Sequence, residues 1–212
     1  RPDVAAHSSD HKQQRCERQD GFAHPRTVAQ LLPLWHAGMR GNFVKGLMQD
    51  TPLTLVHLFE RAEKYHSEKT IVTATATGKE RTTYGEWAAR TRQLGGVLDK
   101  LGISKDGRVA TFAWNSARHL ELYFAPPCTG RVAHTLNIRL FPEQLTYIVN
   151  HAEDEVIFID RSLFALIAPL LPTFTTVKHL VIMDDGKGDV PDSVKDFEMH
   201  DYEALLKGTP GV

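Results

Sequence analysis

Apolar residues along the chain alternate between a helical spacing and short continuous runs. The first helical spacing is formed by Leu55, Leu58, Phe59 and Ala62, which fall at i, i+3, i+4 and i+7. This spacing predicts a helix over residues 54–66 with the four side chains on one apolar face.

A run rich in β-branched residues, 70–77, is followed by Gly78 and then by a second short segment, 80–83. β-branched side chains favour extended backbone, and a glycine between two such segments favours a turn. The pattern therefore predicts an antiparallel hairpin.

A capping box follows the hairpin. The Thr83 hydroxyl can accept the amide of residue 86, and the Glu86 carboxylate can accept the amide of residue 83. A helix is expected from there to Leu101, with Gly102 as a left-handed cap. Its inward side chains are expected to be Trp87, Thr91, Leu94 and Leu98.

The rest of the chain alternates strands with helices. Mostly apolar runs predict strands at 108–114, 131–136, 155–160 and 177–183. Four helices are expected between and after these strands. The first begins at Asn115 or Ser116 and is ended by Pro126-Pro127, and the second runs from Pro142 to about His151. The third runs through Leu166 and Ile167 and stops in the 169–172 segment, and the fourth covers 201–207. This alternation is typical of βαβ units, so the expected fold class is α/β, a mostly parallel sheet with helices on both faces.

Composition narrows the class of protein. The net charge of -1 gives no basis for binding nucleic acid or an anionic surface. Apolar runs stay well below the roughly 18 residues of a membrane-spanning helix, so no integral membrane segment is expected. The two cysteines, Cys16 and Cys128, are far apart in sequence, which favours a reducing, cytoplasmic location.

The beginning of the chain differs from the rest. Residues 1–30 mix charged and polar side chains with few large apolar ones. Such a segment cannot bury enough surface to offset the entropy of ordering. We therefore expect a disordered leader over 1–41 and an ordered domain over 42–212.

Candidate ligand contacts come from strand ends, because ligands of open parallel sheets bind beyond the carboxyl ends of the strands. Polar residues follow four predicted strands, at 114–115, 137, 160–161 and 184–185. Asn115 and Asn137 are predicted to line a cleft there. The alternative for Asn115 and Asp160 is that they cap the next helices.

Motifs that carry chemistry are missing from the sequence. It contains neither G-x-x-x-x-G-K-[ST] nor G-x-G-x-x-G, no G-x-S-x-G and no H-E-x-x-H. His134 interrupts an apolar strand, where a hydrogen-bonded core histidine is favoured over a catalytic base. The residues alone therefore predict no catalytic, cofactor-binding or metal-binding side chain.

Several segments resemble the adenylate-forming (AMP-binding) enzymes, and in particular their medium- and long-chain fatty-acid–CoA ligases. They are residues 46–55, 80–87, 108–115 and 130–154. The T-T-Y-G-E run at 82–86 matches the first core motif of the family, and 122–136 matches the second. The resemblance places the chain at the N-terminal portion of the acyl-CoA synthetase large domain.

The resemblance implies a two-step reaction. A fatty-acid carboxylate attacks the α-phosphate of ATP, and the thiol of CoA then displaces AMP from the acyl-adenylate. The family uses a phosphate loop, Mg²⁺ and a late lysine for this chemistry, and none of these motifs occurs before Val212. The complete enzyme is expected to use ATP, Mg²⁺ and CoA and to form a homodimer.

Three hypotheses remain at this point. The chain is the N-terminal portion of a fatty-acid–CoA ligase and inactive alone, or a truncated non-catalytic interaction module. The third is another adenylate-forming enzyme, such as an aryl-CoA ligase.

Overall fold

The structure, a computed structural model, describes residues 52–75 and 78–212. The leader predicted over 1–41 lies outside these residues. The strands are β1 (Thr70–Thr75), β2 (Gly78–Thr83), β3 (Arg108–Phe112), β4 (Val132–Thr135), β5 (Asp154–Asp160), β6 (His179–Met183) and β7 (Glu198–Asp201). The α-helices are α1 (Leu55–His66), α2 (Tyr84–Lys100), α3 (Ala117–Cys128), α4 (Pro142–Ala152), α5 (Phe164–Ile167) and α6 (Tyr202–Leu206). Two short 3₁₀ helices, Arg161–Leu163 and Ala168–Thr173, flank α5.

A five-stranded sheet with the order β4-β3-β5-β6-β7 forms the centre of the described region. Every neighbouring pair of its strands is parallel. One face packs against α4 and α5 through Val149 and Ile167, and the other packs against α2 and α3 through Leu94 and Leu122. The predicted α/β fold with helices on both faces is therefore confirmed.

Strand β7 was not predicted, because its sequence, E-M-H-D, has no apolar run. It pairs with β6 through the backbone, with Glu198 opposite His179. In the sheet order it is the edge strand, where one side of the backbone needs no partner strand and polar side chains are tolerated.

The predicted hairpin and capping box are both present. β1 and β2 pair antiparallel, from Thr70 opposite Thr83 to Thr75 opposite Gly78. The amide of Thr83 donates to Glu86 Oε2 at 2.8 Å, and the amide of Glu86 donates to the Thr83 hydroxyl at 3.1 Å. Such a cap stabilises a helix by about 1 kcal/mol.

The apolar face predicted for α1 is only partly correct. Phe59 is buried and its ring lies 5.1 Å from the ring of Trp87. Leu58 is 58% exposed and Leu55 39% exposed among the described residues. Within the described residues the helix packs through its Phe59 side, which faces Trp87 of α2 and Phe124 of α3.

Helix α3 extends further than the sequence indicates. It runs through Pro126 and Pro127 to Cys128, so the prediction that the prolines end it is wrong. Both prolines lie in the last turn, where the terminal carbonyls find other donors. The Thr129 hydroxyl donates to the carbonyl of Ala125 at 2.8 Å, and the amide of Arg131 donates to that of Pro126 at 2.9 Å.

Candidate functional site

A cleft of about 1060 Å³ lies at the carboxyl ends of β3, β5 and β6, beside the β1–β2 hairpin. This is where open parallel sheets bind ligands. The ends of three strands contribute Trp114, Asn115, Asp160, Asp184 and Asp185 to it. The sequence-based grouping of these strand ends is thus reproduced in space.

The two predicted cleft residues have different positions. Asn115 lines the cleft. Asn137 does not lie among the cleft residues of the described chain, and its Oδ1 accepts the amide of Arg139 at 3.0 Å in a local turn. A ligand role for either side chain stays a prediction. Helix α3 is capped by Ser116, which accepts the amide of His119 at 3.2 Å, so the capping alternative for Asn115 is wrong.

Asp160 is one of two buried acids in the cleft lining. Its side chain does not cap the following 3₁₀ helix, as one interpretation of the sequence had it. Instead, Oδ2 accepts the backbone amide of Trp114 at 2.6 Å. Burial raises the pKa of Asp160 to about 6, the Trp114 amide opposes this, and the charge of Asp185 adds to it. Asp160 can therefore exchange a proton near neutral pH.

The acidic loop after β6 is tied to the end of β5. Asp185 accepts the amide of Ser162 at 3.0 Å and also the hydroxyl of Ser162. The Ser162 hydroxyl oxygen accepts the indole N–H of Trp114 at 3.0 Å. These bonds hold the carboxylates of the loop against the cleft wall.

A second buried acid, Glu121 of α3, is 1% exposed. Its carboxylate accepts a hydrogen bond from Nε of Arg90, on α2, at 2.7 Å, and a second one from the hydroxyl of Tyr202, on α6. Arg90 also makes two bonds of 2.8 and 2.9 Å to Glu203. Burial raises the pKa of Glu121, and the hydrogen bond from Arg90 opposes that rise.

Sequence reasoning missed the Glu121–Arg90 pair. Its members are 31 residues apart, on two helices whose packing local patterns do not reveal. The available signal was a single glutamate inside an apolar helical segment, between Leu120 and Leu122. Such a residue requires a partner when it is buried.

The charge of the cleft argues against nucleotide binding by this segment alone. Its lining includes seven carboxylates, from Glu80, Glu86, Glu121, Asp160, Asp184, Asp185 and Glu203, and four cations, from Arg81, Arg90, Arg118 and Lys187. Arg90 is paired with two of the carboxylates, and Arg118 lies 3.9 Å from Glu203. A triphosphate needs an excess of cations and free amide donors, so these residues do not fit ATP.

Within 52–75 and 78–212, no helix is both long enough and apolar enough to cross a bilayer.

Two CoA ligases of known sequence are similar to the chain. It is 42% identical over 157 residues to a 3-methylmercaptopropionyl-CoA ligase from Ruegeria lacuscaerulensis, covering 74% of this chain and 29% of that protein. It is 43% identical over 149 residues to a long-chain-fatty-acid–CoA ligase from Thermus thermophilus, covering 70% and 28%. The chain thus spans less than a third of the length of these relatives.

Solved structures match at the level of the fold. A coronafacic acid ligase from Pectobacterium brasiliense superposes with a TM-score of 0.64 at 16% identity, over 74% of this chain and 30% of that one. The model of the family described as "AMP-binding enzyme" matches residues 58–208, well over half of the chain. The resemblance of the sequence motifs is thereby confirmed for the family, and the chain belongs to the AMP-binding enzymes.

Proposed function

We propose that this chain is the front part of an ATP-dependent acid–CoA ligase that activates medium- or long-chain fatty acids. The observation that carries the proposal is the match of residues 58–208 to the AMP-binding family. The named relatives, among them the Thermus long-chain ligase at 43% identity, support the acid–thiol ligase class.

Within that enzyme the chain acts as scaffold. The parallel sheet and its helices form one wall of a cleft, and the acidic lining of that wall does not fit ATP. We therefore assign ATP, Mg²⁺ and CoA to the complete protein, and no chemical step to the residues described above.

3-Methylmercaptopropionate is a second candidate substrate. The 3-methylmercaptopropionyl-CoA ligase of Ruegeria is 42% identical, which is close to the value for the long-chain ligase. Because identity over this segment favours the two acids equally, the substrate test includes both of them.

The first experiment measures ATP–pyrophosphate exchange by the 212-residue chain with a long-chain fatty acid or 3-methylmercaptopropionate. We expect no exchange above the protein-free background, because the cleft lining within the described residues does not fit a triphosphate. Exchange with either acid would overturn the scaffold assignment.

The second experiment uses a chimera in which residues 58–208 replace the matching segment of the Thermus ligase. We expect the chimera to form acyl-CoA, with the intact ligase and a ligase lacking that segment as controls. A chimera that melts cooperatively but is as inactive as the shortened ligase would contradict the proposal and favour a separate interaction module.

A further inference from the structure

A group of three metal-ligating side chains lies on β6 and β7, the two last strands of the sheet. It consists of His179, Glu198 and His200, whose ligand atoms all lie within 4.8 Å of one another. Strand register explains the grouping. Glu198 is directly opposite His179, and His200 is two residues further along the same strand, so all three side chains leave the same face of the sheet.

The distances between the ligand atoms match those of a small, tetrahedral coordination shell. His179 Nδ1 lies 3.3 Å from His200 Nε2 and 3.4 Å from Glu198 Oε2. Zinc–nitrogen bonds of about 2.0–2.1 Å at tetrahedral angles place two ligand atoms about 3.3–3.4 Å apart. Two of the three separations therefore already have the required length.

The third separation, 4.0 Å between His200 Nε2 and Glu198 Oε2, is longer. The Glu198 side chain is 71% exposed, so it can rotate toward His200 without displacing packed neighbours. His179 is buried and His200 is half-buried, which fixes both imidazoles. A rigid pair of histidines with one adjustable carboxylate is a suitable ligand set.

A hydrogen bond between the two imidazoles is the simpler account of the 3.3 Å contact. That bond does not require Glu198, whose carboxylate nevertheless lies beside both histidines. Lys100 is the cation whose charge acts on His200 and opposes a bound metal. Two nitrogens and one carboxylate oxygen favour a divalent cation despite the charge of Lys100.

We propose that His179, Glu198 and His200 bind one zinc ion, which links the edge strand β7 to β6. Two imidazoles and a carboxylate suit Zn²⁺ better than Ca²⁺ or Mg²⁺, which prefer oxygen ligands. Three protein ligands leave one position for water. The site lies outside the residues that line the cleft, so this proposal does not depend on the proposed function.

The test is a calorimetric titration of the EDTA-treated 212-residue chain with ZnCl₂ in a non-coordinating buffer. His200→Asn and Glu198→Gln each remove one ligand and should weaken one zinc site by about 100-fold or more, since loss of even an outer-shell partner costs 10–100-fold. His151→Asn, at an exposed histidine of α4, is the matched control and should leave zinc binding unchanged. Lys100→Gln should tighten it.

Two further measurements separate binding from folding. Thermal unfolding without metal checks that Glu198→Gln is folded, which its exposure favours. Zinc should then raise the unfolding temperature of the wild type and not that of Glu198→Gln. Identical zinc affinity and stoichiometry in the wild type, His200→Asn and Glu198→Gln would overturn the proposal, because any binding would then come from other side chains.

Discussion

Strand β5 carries a buried aspartate at each end, and the two differ in what surrounds them. Asp154, at the start, is 0% exposed, and both its oxygens lie 2.9 Å from Nδ1 of His134. Asp160, at the end, is 2% exposed, and among the described residues its donor is the backbone amide of Trp114, with the carboxylate of Asp185 nearby. Burial raises the pKa of both acids, but only Asp154 has a titratable side chain as its hydrogen-bond donor.

The difference separates an end of the sheet that is closed by an ion-pair partner from an end that faces the cleft. The Asp154 hydrogen bond raises the pKa of His134, and the same bond opposes the rise that burial causes in the pKa of Asp154. Asp160 lies on the cleft wall, where the Trp114 amide and the charge of Arg118 oppose the rise in its pKa without removing it. Groups whose pKa is shifted by burial in a cleft are more frequent at functional sites than elsewhere. The raised pKa of Asp160 therefore marks the end of β5 that faces the cleft, without assigning a chemical step to this segment.

Removing the partner of Asp154 should have the largest effect. His134→Ala leaves a fully buried carboxylate without its donor, which should lower the free energy of unfolding by about 3–5 kcal/mol at pH 6, where the raised pKa of His134 lets the pair contribute. Urea unfolding measures this change. The loss should become smaller at low pH, where protonation of Asp154 removes the uncompensated charge.

The double variant His134→Ala/Asp154→Asn is the control for that interpretation. It lacks both the imidazole and the charge, so it should regain most of the stability that the single variant loses. If the single and double variants have equal stability, the loss comes from packing of the His134 ring and not from the buried charge.

Neutralising Asp160 should raise the free energy of unfolding, by less than the loss of His134 lowers it. The pKa of Asp160 is raised to about 6 in the folded protein, above the unfolded value, so its contribution to stability is present at low pH and lost as pH rises through 6. Asp160→Asn keeps an acceptor for the Trp114 amide and removes this loss. At pH 7.5 the variant should be more stable than the wild type by about 2–3 kcal/mol.

Urea unfolding at pH 4 and pH 7.5 measures the expected difference. The gain of Asp160→Asn should be present at pH 7.5 and become small at pH 4, where Asp160 is protonated in the folded state and partly protonated in the unfolded state. Asp192→Asn, in an exposed loop, is the matched control and should show no such pH dependence. An equal gain at both pH values would show that the charge of Asp160 is not what destabilises the protein.

The sequence predicted the cleft end of β5 better than the other end. Parallel strands align their carboxyl ends, so Trp114, Asp160 and Asp185 could be grouped from strand boundaries alone. His134 was interpreted as a hydrogen-bonded core histidine, but its acceptor could not be named. The reason is that β3 lies between their two strands, and strand order depends on long-range packing that local patterns do not encode.

The missed elements have related causes. Strand β7 is held by pairing with β6 and not by apolar side chains, so it leaves no periodic signal. Because β7 was not predicted, the grouping of His179 with Glu198 and His200 was not predicted either. The prolines of α3 were misjudged because both lie in its last turn, and the helix ends one residue beyond them, at Cys128.

The smallest effect should come from Asp185, the second carboxylate at the cleft end of β5. Its charge adds to the rise in the pKa of Asp160, after burial, which is the main cause. Asp185→Asn still offers an oxygen to the amide of Ser162, which the aspartate accepts at 3.0 Å, so the loop should stay in place. Removing a nearby negative charge should therefore lower the pKa of Asp160 below 6 by less than about one unit.

A titration of the Asp160 carboxyl carbon by NMR measures that shift directly. Asp184→Asn changes the adjacent, exposed acid, whose charge is not among the causes of the Asp160 shift, and should leave the titration unchanged. If Asp184→Asn lowers the pKa of Asp160 as much as Asp185→Asn does, the relevant field is that of the whole acidic loop and not of one neighbour. Because burial remains in both variants, the pKa of Asp160 should stay above that of an exposed aspartate.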